Sequence, residues 1–281
     1  MADKTITGAV ASAEDPDVAL YEPITLEAAK LHLRVDVTED DALIVGLIAA
    51  ARSHAEMFTR RQFMYRTWTK TMATFPDVIW LPHPPLAQVL SITYSDTLDA
   101  AQTLDSDTYQ VVTEPNWFSA IIEADGKYWP NTNGVTDNIT VTYVAGYQGT
   151  YSVNATTNVL TAISGGRTWA DTDQARVRVS GEGDAAIPVG LLANTLYYVV
   201  DQDGLTFKLA ATSGGDAIDI TSAGTGVQYI GEEMPPEILS AMKLLIGHWY
   251  EDREAVAIGT IATTVPLAVK SLLWGVRVLE P

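Results

Sequence analysis

The 281-residue chain contains no cysteine. Disulfides, zinc–thiolate centres and cysteine nucleophiles are therefore excluded. Cations are also scarce, with 17 Lys and Arg against 35 Asp and Glu and a formal charge of −18. Such a surface repels duplex DNA, because binding needs cations that displace counterions from phosphates. Arg60–Arg61 is the only basic dipeptide. The longest apolar run, "ALIVGLIAAA" (42–51), falls far short of the roughly 20 residues that span a bilayer. The first twenty residues lack a basic start followed by an apolar block, so no signal peptide is expected and the chain reads as a soluble product of a reducing compartment. Histidine is sparse too, with His32, His54 and His83 each standing alone.

Apolar residues are plentiful at 47%, and seven tryptophans need large apolar contacts, so the chain can build a sizeable core. Residues 1–20 are small, polar and acidic, and read as a mobile arm. Thr25 can cap a short helix carrying Leu26, Ala29 and Leu33 on one side. A stronger helix follows, with Thr38 as candidate N-cap. Its apolar stripe is Leu43, Ile44, Leu47, Ile48, Ala51, Ala55 and Phe58, and Arg60 and Arg61 suit its negative end. From residue 64 the period changes to two. "MYRTWTKTMATF", "SITYS", "YQVVT", "SAIIEA" and "NITVTYVAGY" alternate as strands do.

Residues 150–232 turn to Gly, Thr, Ser and Ala, with strand candidates "NVLTAI", "ARVRVS", "TLYYVV", "LTFKLA", "AIDIT" and "VQYIG" between regular turns. That pattern predicts an all-β sandwich or barrel, inserted where loop tips tolerate it. Helical spacing returns at "MPPEILSAMKLLIGHWYEDREAV", with Pro235 and Pro236 at the helix start and Ile238, Met242, Leu245 and Trp249 repeating along it. A short helix after Pro266 and an apolar tail close the chain. The expected fold class is α+β: a helical bundle with a β-rich element between its helices, plus an inserted all-β domain. The domains are a flexible arm (1–20), a core (21–149 and 233–281) and the insert (150–232).

"GHWYEDREA" (247–255) carries the densest chemistry. His248, Glu251 and Asp252 share a helix face, which allows a metal-dependent hydrolase reading, but no second His/acid cluster supplies further ligands. Glu251, Asp252 and Glu254 crowd a helix C-terminus, where the macrodipole disfavours them. Only Arg253 offsets them locally, so cations from elsewhere, Arg60 and Arg61 or a neighbouring subunit, are expected to meet the cluster. "SAMK" (240–243) lacks the companion motifs of a penicillin-recognising serine enzyme. "GEGDAA" (181–186) leads into "IPVG" rather than a helix, so it is a turn and not a dinucleotide loop. No catalytic, metal or cofactor constellation remains, and no enzyme is expected. "LLWGVRVLEP" offers a better functional candidate: Leu272, Leu273, Trp274, Val276 and Val278, with Arg277 among them, either tuck against their own core or fill a groove on a partner.

Three stretches, "PITLEAAKLHLRVDVTEDDALIVGLIAAARSHAEMFTRR", "ITVTYVAGY" and "PPEILSAMKLLIGHWYEDREAV", resemble in their order the head–tail connector (adaptor, head-completion) proteins of long-tailed bacteriophages. The resemblance covers roughly 21–149 and 233–281. It implies a helical bundle with a β element, assembled as a ring, usually twelvefold, beneath the portal protein at the capsid vertex. Double-stranded DNA would pass through without specific binding, and a tail-side neck protein (stopper or tail terminator) would dock below. The location implied is the virion neck, after synthesis in the host cytoplasm, with no membrane. Leu272, Leu273, Trp274, Val276, Arg277 and Val278 would reach the portal. Arg60, Arg61, Trp249, Tyr250, Glu251, Asp252, Arg253 and Glu254 would lie at subunit boundaries or the lumen. The insert resembles β modules of other phage structural proteins and departs from ordinary connectors. It leaves open a tail terminator or decoration protein that works through the insert.

Overall fold

The computed structural model describes residues 6–8, 22–114, 118–163, 165, 167–179, 185–252 and 267–279. Arg253 and Glu254, and residues 181–184 of "GEGDAA", lie outside the described residues. The architecture is α+β, as expected: a four-helix bundle, a two-layer β-sandwich and a closed barrel.

The bundle comes from both ends of the chain. In α1 (Leu26–Leu33), the Thr25 hydroxyl accepts the Ala28 N–H at 3.1 Å. In α2 (Asp41–Thr59), the N-cap is Asp40 without a side-chain cap bond. Thr38, expected to cap α2, instead forms the preceding turn through its carbonyl, which accepts the Asp41 N–H. Ile44, Ile48, Ala51 and Ala55 form the buried stripe of α2. Leu43, expected in that stripe, is 39% exposed, since it lies one position off the i, i+4 row that faces α3. The third helix, α3 (Pro236–Glu251), starts with proline at its first turn and buries Ile238, Ala241, Met242, Leu245 and Ile246. The last, α4 (Leu267–Trp274), buries Val269 and Leu273. Phe63, Tyr147 and Met234 complete this core.

The sandwich follows α2. One sheet has the order β1-β2-β8-β4-β5, with β1 Ile6–Gly8, β2 Arg66–Met72, β4 Leu86–Ser95, β5 Ala101–Thr103 and β8 Ile139–Ala145; all its pairs are antiparallel. Part of the expected mobile arm is thus an edge strand, Ile6–Gly8 pairing with Trp68–Lys70. The second sheet is β3-β7-β6, with β3 Val78–Leu81, β6 Tyr109–Glu114 and β7 Phe118–Glu123. Ile79, Leu81, Ile92, Ile121, Ile139, Val141 and Tyr143 fill the space between the sheets.

Strands β9 (Gln148–Asn154), β10 (Val159–Ala162), β11 (Gln174–Val179), β12 (Leu196–Asp203), β13 (Thr206–Ala210) and β14 (Gln228–Gly231) close into a barrel of order β10-β13-β12-β11-β14-β9. Closure removes the open edges that would otherwise recruit other strands. Tyr151, Leu160, Trp169, Val177, Val199, Phe207 and Leu209 fill the interior. "AIDIT", expected as a strand, joins no ladder. The Ile218 N–H goes to Leu209 O, that of Ile220 to the Asn158 side chain, and that of Thr221 to Val189 O. Ile220, 1% exposed, joins the barrel core from this irregular segment.

Candidate subunit and partner interface

The residues just after α2 tie the three modules together. Phe63 is buried in the helical core, Tyr65 in the barrel core, and Trp68 packs against the sandwich core. Phe63 and Tyr65 precede β2, in an irregular link whose side chains are free of a strand's strict alternation. The backbone is clamped as well: Tyr65 N–H donates to Gln148 O at 2.7 Å, and Tyr147 N–H to Phe63 O at 2.9 Å. Gly146 (φ 130°) lies so close that a Cβ there would stand 2.6 Å from Met64 O and 2.8 Å from Tyr65 N. Only glycine combines that φ with that approach. The Tyr65 hydroxyl accepts from Arg167 at 2.5 Å, and the Arg167 guanidinium lies 3.8 Å from the Trp169 ring centroid. Burial pushes the Tyr65 phenol up, against the opposing pull of Arg167.

A second tie was not legible as a motif. Arg52 pairs with Glu22 at 2.7 Å and with Glu56 at 2.9 Å. Glu56 also accepts from Phe63 N–H and from the Gln62 amide. Burial works against the Arg52 charge, yet the two carboxylates overcome it and hold its pKa above the ordinary value. Burial raises Glu56 despite the Arg52 charge. The Glu22 carbonyl in turn accepts the Tyr229 hydroxyl from β14 at 3.1 Å. Glu22 (ahead of α1), α2 and the barrel are thereby fastened through one cluster, with Glu22 buried and Arg52 and Glu56 partly so. The sequence signal was weak: Arg52 and Glu56 at i, i+4.

At the end of α3, Trp249 is half-buried against the helical core and meets the His54 ring edge-on at 6.0 Å. The Tyr250 hydroxyl donates to the Asp40 carboxylate, joining the end of α3 to the start of α2. Glu251 and Asp252 are exposed. His248 Nδ1 lies 3.1 Å from Asp252 Oδ2, a cation-capable partner within the same helix end. Among the described residues, no group of three or more His, Asp or Glu is placed to hold a metal ion. The pair is a helical i, i+4 contact.

Arg60 ends α2 in the left-handed region (φ 59°), its N–H returned to Glu56 O. Arg61 is 2% exposed. Its Nε donates to Val276 O at 2.6 Å, and its side chain also hydrogen-bonds Tyr147. The Val278 N–H donates to Thr59 O. The end of α2 therefore holds the C-terminal segment in place, and a buried guanidinium is tolerable because its donors are met.

The apolar tail divides. Leu272, Leu273 and Trp274 belong to α4 rather than to a tail after the last helix. Leu273 is 1% exposed and fills the chain's own core, whereas Leu272 and Val276 pack partly against it. Trp274 is 62% exposed, and its outer surface meets no other part of the described chain. Its ring approaches Phe58 at 6.5 Å, and the Arg277 guanidinium sits 5.3 Å from Trp274 and 5.4 Å from Phe58.

The phage gp6-like head-tail connector protein family matches residues 23–124, covering α1, α2 and the sandwich as far as β7. The match stops before β8, α3 and α4, which the sequence resemblance over 21–149 and 233–281 takes in. No curated protein matches the chain. Among solved structures, a chain in the neck of an empty gene transfer agent (GTA) particle, computed with C6 symmetry, aligns at 14% identity. The alignment covers 99% of this chain and 97% of that one, with a TM-score of 0.54. A chain in the virion of a native gene transfer agent particle aligns at 15% identity over the same shares, with a TM-score of 0.54. One in the neck of a native particle, computed with C12 symmetry, has a TM-score of 0.50. Alignments spanning 99% of the chain run through the barrel as well. Over 23–124 the sequence resembles the phage gp6-like head-tail connector proteins, and from end to end the fold resembles chains of gene transfer agent particles.

Proposed function

We propose that the chain is a structural protein of a phage-type neck, a head–tail connector that forms a ring under the capsid portal. In this reading the core is residues 21–149 and 233–281, and the barrel, residues 150–232, is a domain set into it. The ring extends the DNA channel and presents a platform to the tail-side neck protein. The observation that carries the reading is the coincidence of two independent likenesses. The connector family matches the first half of the core, and the fold of the whole chain recurs in particle necks computed with C6 and C12 symmetry.

The physics is compatible with that role. A net charge of −18 suits a conduit past which DNA moves without sticking. Trp274 offers the exposed aromatic anchor that protein interfaces favour, on a helix whose other face is fixed to the bundle. The acids at Glu251 and Asp252, with Arg253 and Glu254 after them, are assigned to a subunit boundary or the lumen, together with Arg60, Arg61, Trp249 and Tyr250. The test is to mix the purified full-length chain with the portal protein of the same particle and measure the mass of the complex. A ring of about twelve copies on the portal, as the C12 neck suggests, supports the reading. A chain that stays monomeric and does not bind the portal overturns it.

A further inference from the structure

Of the four helices among the described residues, α2 alone has no charged residue in its exposed set. Leu43, Gly46, Ala50, Ser53 and Met57 recur at steps of three and four and are all exposed, so they line one side of the helix. Met57 is 73% exposed, and a Cβ on Gly46 would meet no atom within 4 Å. The charged side chains of α2 are engaged within the chain, Asp41 with Lys30, and Arg52 with both Glu22 and Glu56. The exposed sides of α1, α3 and α4 instead carry Glu27, Glu237 and Lys270. The run "ALIVGLIAAA" (42–51) is apolar right round the helix, and a helix of that kind belongs in an interior. The described chain buries it on one side only, at Ile44, Ile48, Ala51 and Ala55.

We propose that the outer side of α2 is the lateral contact of the ring, packed against the α1 and α3 side of a neighbouring copy. The inference rests on the connector reading, which sets identical copies side by side, and it names the face through which they meet. Copies that each carry a net charge of −18 repel least across a face without ionisable groups. A basic partner would select the acids that the chain has in abundance elsewhere, and this side has none. Gly46, Ala50 and Ser53 are small enough to admit a neighbouring helix at about 8 Å between axes, with Leu43 and Met57 bracketing it. A closed ring needs two different faces on each copy. The second is the seam of α1 and α3, where a Cβ on Gly247 would stand 3.5 Å from His32 Nε2. Beside that seam Leu31 is 68% exposed and Leu244 39%, on the side of the bundle away from the outer face of α2.

The chain has no cysteine of its own, so Ser53→Cys supplies a single thiol on this side. Ser213→Cys, in the exposed turn after β13, is the control. Each full-length chain is titrated onto the purified portal protein, with the mass of the complex and the rate of maleimide labelling followed together. The Ser53→Cys thiol should react freely in the free chain and roughly tenfold more slowly once neighbouring places fill; the Ser213→Cys thiol should not change. Ala50→Glu and Leu31→Glu should each weaken association between copies roughly tenfold, whereas Ala50→Ser and Ser213→Glu should not. Unfolding of the free Ala50→Glu chain should match wild type, and a marked loss of stability would mean that the chain covers this side itself, against the proposal. A full ring in which the Ser53→Cys thiol stays reactive would sink this inference and leave the connector reading standing. Protection complete with the first bound copy would assign the side to the portal and overturn the proposal. A ring that tolerates Leu31→Glu would overturn the pairing of α2 with the α1 and α3 seam. Absence of both portal binding and a ring would remove the connector reading and this inference with it.

Discussion

Replacing Leu273 by alanine separates the inner and outer faces of α4. Leu273 is 1% exposed and shares its core with Val269, Ile238, Met242 and Phe63. Truncation of a fully buried leucine removes transfer free energy and leaves a cavity, together about 2–5 kcal/mol. The upper part of that range applies where neighbours cannot collapse into the gap. Here they are held, because Arg61 fixes Val276 O and Thr59 fixes Val278 N–H just beyond the helix. The expected loss is therefore about 3–5 kcal/mol. Trp274, the next residue and 62% exposed, should cost less than about 1 kcal/mol when changed to alanine while weakening association with a partner. Urea unfolding followed by tryptophan fluorescence and by far-ultraviolet circular dichroism measures both. A Leu273→Ala chain that unfolds within about 0.5 kcal/mol of wild type would refute the docking of α4 on its own bundle.

Gly146→Ala places a Cβ against the backbone of Met64 and Tyr65 at φ 130°, where neither side can yield. It should lower stability by on the order of 2–4 kcal/mol, read by thermal unfolding, and an unchanged midpoint would contradict the three-way junction. His83 stacks on Trp68 at 4.1 Å, and burial, with a smaller push from Arg66, lowers its pKa. A depressed pKa means that the unfolded state binds the proton more readily, so the stability His83 contributes is present above pH 6.5 and lost as pH falls through its folded value. His83→Gln should flatten the pH dependence of unfolding in that window, and an identical slope in both proteins would disprove the assignment.

The helices and the barrel strands were legible because their burial is periodic: Ile44, Ile48, Ala51 and Ala55 in α2, and Ile238, Met242 and Leu245 in α3. Composition separated the barrel from the core, since β10 to β14 are short strands between Gly and Asp turns. Local pattern failed where distant partners decide. The first barrel strand, "QGTYSVN" (148–154), lacks a strong apolar alternation and is a strand because β10 and β14 bracket it. "AIDIT" alternates well yet meets β13 only through an isolated bridge, Ala217 with Ala210, and joins no ladder. "LLWG" reads as the start of a tail, whereas Leu273 is buried by α2 and α3, far away in sequence. The Glu22–Arg52–Glu56 cluster joins residues 30 apart, a pairing no spacing rule reveals.

An image of the particle's neck, resolved to secondary structure, tests the central claim most directly. The account predicts a ring of this chain directly beneath the portal, with α4 turned toward it and Trp274 covered. A neck without the chain, or a ring whose α4 faces solvent while the barrel alone touches the portal, would contradict it.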